Sequence, residues 1–137
     1  MLIKKSNLFK STILIIFLIS LCACKKAAGE GGTSTIKGKI WVEDWNNAFT
    51  IKNGEYAGYD EDVYILYGDA VSYSDKTNAN YNGEFEFKYL RKGKYKIYVY
   101  SKDNTLQSKS GDVAVIKEIE ITENKQTKEL EQITIYN

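Results

Sequence analysis

The sequence predicts an all-β fold, a seven-stranded antiparallel sandwich, on three observations. Two neighbouring stretches alternate strictly. Phe85 and Phe87 share one face of the first, and Tyr95, Ile97 and Val99 share one face of the second, the period of two of half-buried strands. Turn signals recur at nearly regular intervals, and with no Pro in the chain that duty falls on Gly, Asn and Asp. Eleven Tyr, two Trp and five Phe make the chain rich in aromatics, a composition that suits strands better than helices.

Residues 1–23 read as a leader. Lys4, Lys5 and Lys10 form a basic start, and an apolar run from Ile13 to Leu21 follows. That run is shorter than the roughly 20 residues a transmembrane helix needs. Its end, Leu21-Cys22-Ala23-Cys24, resembles a bacterial lipobox, with an aliphatic residue, a small residue and the Cys that takes lipid. Cutting before Cys22 would leave Leu21 at the cleavage position, so Cys24 is the expected acceptor. Cys22 then departs with the leader and Cys24 becomes a thioether, leaving no thiol for disulfides, metals or nucleophilic attack. One acyl chain alone would hold the membrane weakly, at about 10⁴ M⁻¹; the resemblance to bacterial lipoproteins implies two or three chains and stable attachment.

Residues 24–34 are expected to be the lipidated Cys and a flexible tether. From Lys25 to Ser34 there are three glycines and no large apolar side chain, and such a coil spans on the order of 15–20 Å. Lys25 and Lys26 follow Cys24 where an Asp would signal inner-membrane retention, which favours the outer membrane. Without the three leader lysines the chain carries 16 basic against 18 acidic side chains, a net charge of −2. No basic patch seeks phosphates, so nucleic acid is an unexpected partner.

Residues 35–137 are the expected domain. Ile36 to Val42 opens it with Ile36, Ile40 and Val42 on one face. A polar loop laced with Trp45, Phe49, Tyr56 and Tyr59 follows through residues 43–62. Val63 to Tyr67 is the second strand, and Val71 to Ser74 a short third. Asn82-Gly83 supplies the positive φ of a tight turn before the Phe85 strand. Leu90-Arg91-Lys92-Gly93 leads into the Tyr95 strand. Val113 to Ile121 and Leu130 to Tyr136 complete the seven.

These residues carry a resemblance. Ile36-x-Gly38-x-Ile40, Asp62-Val63-x-Ile65, and Thr77 followed by Asn82-Gly83-x-Phe85-x-Phe87-x-x-Leu90-x-x-Gly93-x-Tyr95-x-Ile97-x-Val99 resemble the carboxypeptidase regulatory-like domain. The family has a transthyretin-like (prealbumin-like) Greek-key sandwich, here in a Bacteroidetes-type lipoprotein. The resemblance implies a core of Phe85, Phe87, Leu90 and Tyr95 and a sharp strand entry at Gly93, and it brings no activity with it. The long 43–62 insert departs from the family's short turn.

Composition narrows the chemistry. There is no His, so a Ser-His pair is excluded and zinc motifs lack their ligands. Ser101-Lys102 and Ser108-Lys109 are adjacent in sequence and point to opposite faces of a strand. Asn78 to Gly83 imitates the start of a calcium loop but lacks the first carboxylate and has Tyr89 in place of the closing Glu; a turn braced by Asn side chains is the expected structure. Asp60-Glu61-Asp62 with Asp69 form an acidic group at one end, read as a solvated strand entry. A small sandwich offers few clefts for the carboxylate pair of a glycosidase. No cofactor, no metal and no catalysis are expected.

The outward aromatics remain. If Tyr95, Ile97 and Val99 point inward, Tyr98 and Tyr100 point outward, and Tyr64 does so between Val63 and Ile65. Exposed Tyr brings large area with a polar tip and suits protein or sugar partners. Tyr64, Tyr98 and Tyr100, with Trp45 from the insert, are the candidate contact residues, against the alternative that such rings merely pack beside Lys stems. The expected function is a non-catalytic, membrane-anchored binding or assembly module on a monomeric domain. A structural subunit pairing by a sheet edge, with Val113–Ile121 as that edge, is the second expectation.

Overall fold

The alternating stretches become two sheets around one core in the computed structural model, which describes residues 27–137. The expected leader with Cys22, and Cys24, the expected lipid acceptor, lie outside the described residues. In chain order the strands are β1 (Glu30–Trp45), β2 (Lys52–Ala57), β3 (Asp62–Tyr67), β4 (Asp75–Asn78), β5 (Glu84–Leu90), β6 (Gly93–Lys102), β7 (Asp112–Ile121), β8 (Thr127–Glu129) and β9 (Ile133–Tyr136). No helix occurs among the described residues. One sheet runs β4-β3-β6-β7. In the other, β1 is the spine: β5 and β2 pair along one side of it, β8 and β9 along the other. The sheets do not close into a barrel.

The inward faces are those the alternation predicts. Phe85, Phe87 and Leu90 of β5 and Ile36, Ile40 and Val42 of β1 meet Val63, Ile65, Tyr95, Ile97 and Val99 from the facing sheet, all at most 4% exposed. Burying side chains of this size contributes about 1.5–3 kcal/mol each. Gly83 takes the positive φ, +75°, expected of the turn before β5. In the same turn Asn80 Oδ1 accepts from the amides of Asn82 at 2.9 Å and Glu84 at 3.0 Å, so the calcium-like motif is a braced turn.

Four expectations change. First, the sheet built on β1 is mixed, because β8 and β9 run parallel to it; the strand expected over Leu130–Tyr136 shortens to β9, and β8 is an additional strand before it. Second, the 43–62 insert is a hairpin: β1 continues to Trp45 and pairs with β2. Five of the six β2 residues are exposed, so this edge strand has no apolar alternation to betray it and rests on its ladder to β1. Third, Val71–Ser74 is a loop with Val71 fully exposed, and the pairing strand is the polar β4 just after it. Fourth, β1 starts at Glu30, inside the expected tether. Glu30 and Ser34 both pair with Leu90, so Gly31, Gly32 and Thr33 form a bulge, and Ser34 is buried with its hydroxyl donating to the Glu123 carbonyl at 3.0 Å.

Asp103 organises the β6–β7 loop. Its Oδ1 accepts from the Thr105 amide and hydroxyl at 2.8 and 2.6 Å, and its Oδ2 from the amides of Gln107 and Ser108 at 2.8 and 2.6 Å. These donors, the Thr105 hydroxyl foremost, hold the carboxyl at about 2, below the ordinary Asp value of about 3.9. A depressed folded value means the stabilisation is complete above about pH 4 and is lost as pH falls through the folded value. The amide resonances of Gln107 and Ser108 should therefore titrate with a midpoint near 2; a midpoint near the ordinary value would contradict the four-donor arrangement.

Candidate functional site

β3 and β6 are the two inner strands of the four-stranded sheet, and their outward positions fall in register. Tyr64 lies directly opposite Tyr98, and their rings stack with centroids 4.9 Å apart and planes 11° from parallel. Tyr100, two residues further along the same face of β6, meets Tyr64 edge-on at 5.8 Å and Tyr98 at 5.6 Å. Tyr73 reaches over from the β3–β4 loop and meets Tyr64 at 5.2 Å. Three of the four candidate residues are thus brought into one cluster, and Tyr73 joins as a member that the sequence did not single out. Ile116 of β7, opposite Tyr98 in the ladder, extends the patch on its far side.

The cluster is half sunk and half offered. Tyr73, Tyr100 and Ile116 are each more than half exposed, while Tyr64 and Tyr98 are half-buried between them. Burial, then the hydrogen bond to Asp62, raises the Tyr64 phenol above its usual range. Burial, then Tyr100, does the same for Tyr98. Both phenols keep their protons at neutral pH and can donate as well as accept.

A polar rim borders the rings. Tyr64 Oη donates to Asp62 Oδ2 at 3.1 Å, and Lys76 Nζ donates to both Asp62 oxygens at 3.1 Å. Asn78 Nδ2 adds a bond of 2.9 Å to Asp62 Oδ1. The Lys76 bond, first among these partners, keeps the Asp62 carboxyl below the usual carboxylate range, and Asp62 in turn raises Lys76. Lys76 Nζ also stands 6.0 Å from the Tyr64 ring centroid, within cation–π reach. An apolar-aromatic centre with a hydrogen-bonded charged edge has the composition of a recognition surface.

The other candidates lie elsewhere. Trp45 ends β1 on the opposite sheet, 6.4 Å from Phe49, which packs edge-on against Tyr136 at 5.8 Å. That group closes the end of the β1–β2–β9 sheet and is separate from the tyrosine face. Tyr59 stacks on Tyr81 at 4.3 Å, joining the β2–β3 and β4–β5 turns. Asp69 follows β3 while Asp60, Glu61 and Asp62 precede or open it, so the acidic group is split between opposite ends of that strand. Ser101 is buried, accepting from the Tyr136 amide at 2.8 Å, and Ser108 donates to the Asp112 carbonyl at 2.8 Å; both hydroxyls serve the backbone.

No family model matches the sequence, and no curated protein matches it. Among solved structures, the chain is similar to a Pseudomonas aeruginosa protein described as a candidate carbohydrate binder, at 13% identity over 81% of this chain and 92% of that one, with a TM-score of 0.46. It is similar to a 9R-lipoxygenase from Cyanothece at 15% identity, with a TM-score of 0.40, over 91% of this chain but 20% of the enzyme. It is also similar to (S)-allantoin synthase at 10% identity, with a TM-score of 0.39, over 77% of this chain and 43% of that one. None of these likenesses carries weight for function.

Proposed function

We propose that this chain is a non-catalytic binding module of the bacterial cell envelope, fastened to the membrane, with the outer membrane favoured, through lipid on Cys24, and that Tyr64, Tyr73, Tyr98 and Tyr100 form its contact face. The observation that supports the face is the convergence of four tyrosines on the outer side of the two inner strands, two of them more than half exposed. Tyrosine brings large, rigid contact area with few rotatable bonds, and it serves protein and glycan partners alike. The lipid attachment is supported by the apolar leader and the Leu21–Cys24 motif. The finer fold proposal, a transthyretin-like domain of the carboxypeptidase regulatory-like kind, is supported by the burial of Phe85, Phe87, Leu90 and Tyr95.

Affinity capture from envelope membranes, and binding to an array of bacterial polysaccharides, test the face. The wild type should retain a partner that Tyr98→Ala/Tyr100→Ala does not; identical profiles would contradict it.

The second reading, self-assembly by a sheet edge, has one observation in its favour. β7 is ten residues long, pairs only with β6, and exposes Ile116. Against it, Lys117 points inward on that edge, between Val115 and Ile119, with Nζ 3.8 Å from Glu131. An inward charge on an edge strand discourages a second strand from docking. Size exclusion should show a monomer at all concentrations; a concentration-dependent dimer would favour this second reading.

A further inference from the structure

The chain enters the fold at one end of the sandwich and is gripped there. Arg91, in the β5–β6 turn, donates from Nε to the Ala27 carbonyl at 2.9 Å and from its amide to the Gly29 carbonyl at 2.8 Å. The Gly29 amide donates to Tyr95 Oη at 3.0 Å. Ala28 lies partly buried against the core, directly over Gly93, where any side chain would collide with it. The backbone is therefore held from Ala27 onward. Of the ten residues expected as tether, Lys25 and Lys26 alone separate Cys24 from the first held residue. Three Cα–Cα steps of 3.80 Å reach at most about 11 Å.

Resting on the lipid attachment proposed above, we infer that the domain is seated on its membrane in a fixed orientation, with the β5–β6 turn end against the phospholipid headgroups. An anchor within about 11 Å of one end leaves no length for the domain to turn over. The side chains at that end are basic in balance. Arg91, Lys92, Lys94 and Lys125 are there, with Lys25 and Lys26 in the connection, against Glu30, Asp69, Glu120 and Glu123. Lys125 is placed by its amide, which donates to Thr33 Oγ1 at 3.0 Å. Tyr89, 71% exposed and held at a φ of +58°, adds an aromatic ring of the kind that settles at headgroup level. Basic side chains near anionic lipid add attraction that salt screens.

The orientation has a consequence for the tyrosine face. β6 leads away from the seated end from Gly93, and Tyr98 and Tyr100 lie five and seven residues along it. At about 3.3 Å per residue that is roughly 17 and 23 Å from the membrane side. The contact face is carried sideways and clear of the lipid.

The test uses the full-length lipidated protein in vesicles of phosphatidylethanolamine and phosphatidylglycerol carrying a headgroup-nitroxide lipid. Fluorophores are placed at single cysteines, Lys92→Cys at the seated end and Asn104→Cys in the β6–β7 loop at the other. The label at 92 should be quenched several-fold more strongly than the label at 104. Equal quenching, or the reverse order, would overturn the orientation while leaving the anchor intact. Protein that fails to float with the vesicles and alkylates at Cys24 would overturn the lipid attachment itself, so flotation tells the two failures apart.

Discussion

Gly32→Ala should lower the melting temperature of the domain by roughly 10 °C or more, through about 3 kcal/mol of backbone conflict. A Cβ at this position would sit 2.0 Å from the Leu90 carbonyl oxygen and 2.5 Å from the Arg91 nitrogen. Those atoms are backbone, so no rotamer change relieves the contact, and the bulge of β1 must lift from β5. The effect is informative because the same glycine in a flexible tether would tolerate Ala with no loss. Gly54→Ala is the control: nothing lies within 4 Å of its Cβ, and its effect should stay within about 0.5 kcal/mol. Thermal unfolding of both variants followed by circular dichroism decides. Equal melting temperatures for Gly32→Ala and wild type would contradict the folded bulge.

Tyr95→Phe should cost about 1–3 kcal/mol despite keeping the ring. Tyr95 is 1% exposed, and its hydroxyl donates to the Arg91 carbonyl at 2.6 Å while accepting from the Gly29 amide at 3.0 Å. Burial pushes its phenol up, so it stays protonated and able to do both. Removing the oxygen leaves the buried Gly29 amide without a partner and unties the entering chain from the β5–β6 turn. Hydrogen exchange at Gly29 should accelerate in the variant together with the loss of global stability. Unchanged exchange there would show that the hydroxyl does not hold the N-terminal segment.

What could be read from the sequence was whatever apolar alternation writes. Phe85, Phe87, Tyr95, Ile97 and Val99 announce two strands and their inward faces, and that one fact also places Tyr64, Tyr98 and Tyr100 outward. Their meeting on a single face needed the register of β3 against β6, which pairing across 30-odd residues sets and local pattern does not. β2, β4 and β8 are not legible in the sequence because exposed or polar strands carry no apolar period of two: in β4, Thr77 is the inward residue where a Val would signal. The glycines of residues 29–32 read as a linker because composition alone does not separate a bulge from a coil. Only the closeness of the Leu90 backbone shows why side chains are excluded there. Tyr73 belongs to the face through a loop conformation, for which no short-range signal exists.

If the tyrosine face is where this chain meets its partner, affinity for whatever protein or polysaccharide the wild type captures must depend on it. Tyr98→Ala/Tyr100→Ala should weaken that affinity by tenfold or more, the loss of at least about 1.4 kcal/mol expected when aromatic anchors are truncated. Trp45→Ala, on the other sheet and outside the cluster, should leave affinity unchanged. A tyrosine double variant that folds and binds like wild type, or a Trp45 variant that alone loses binding, would contradict the claim.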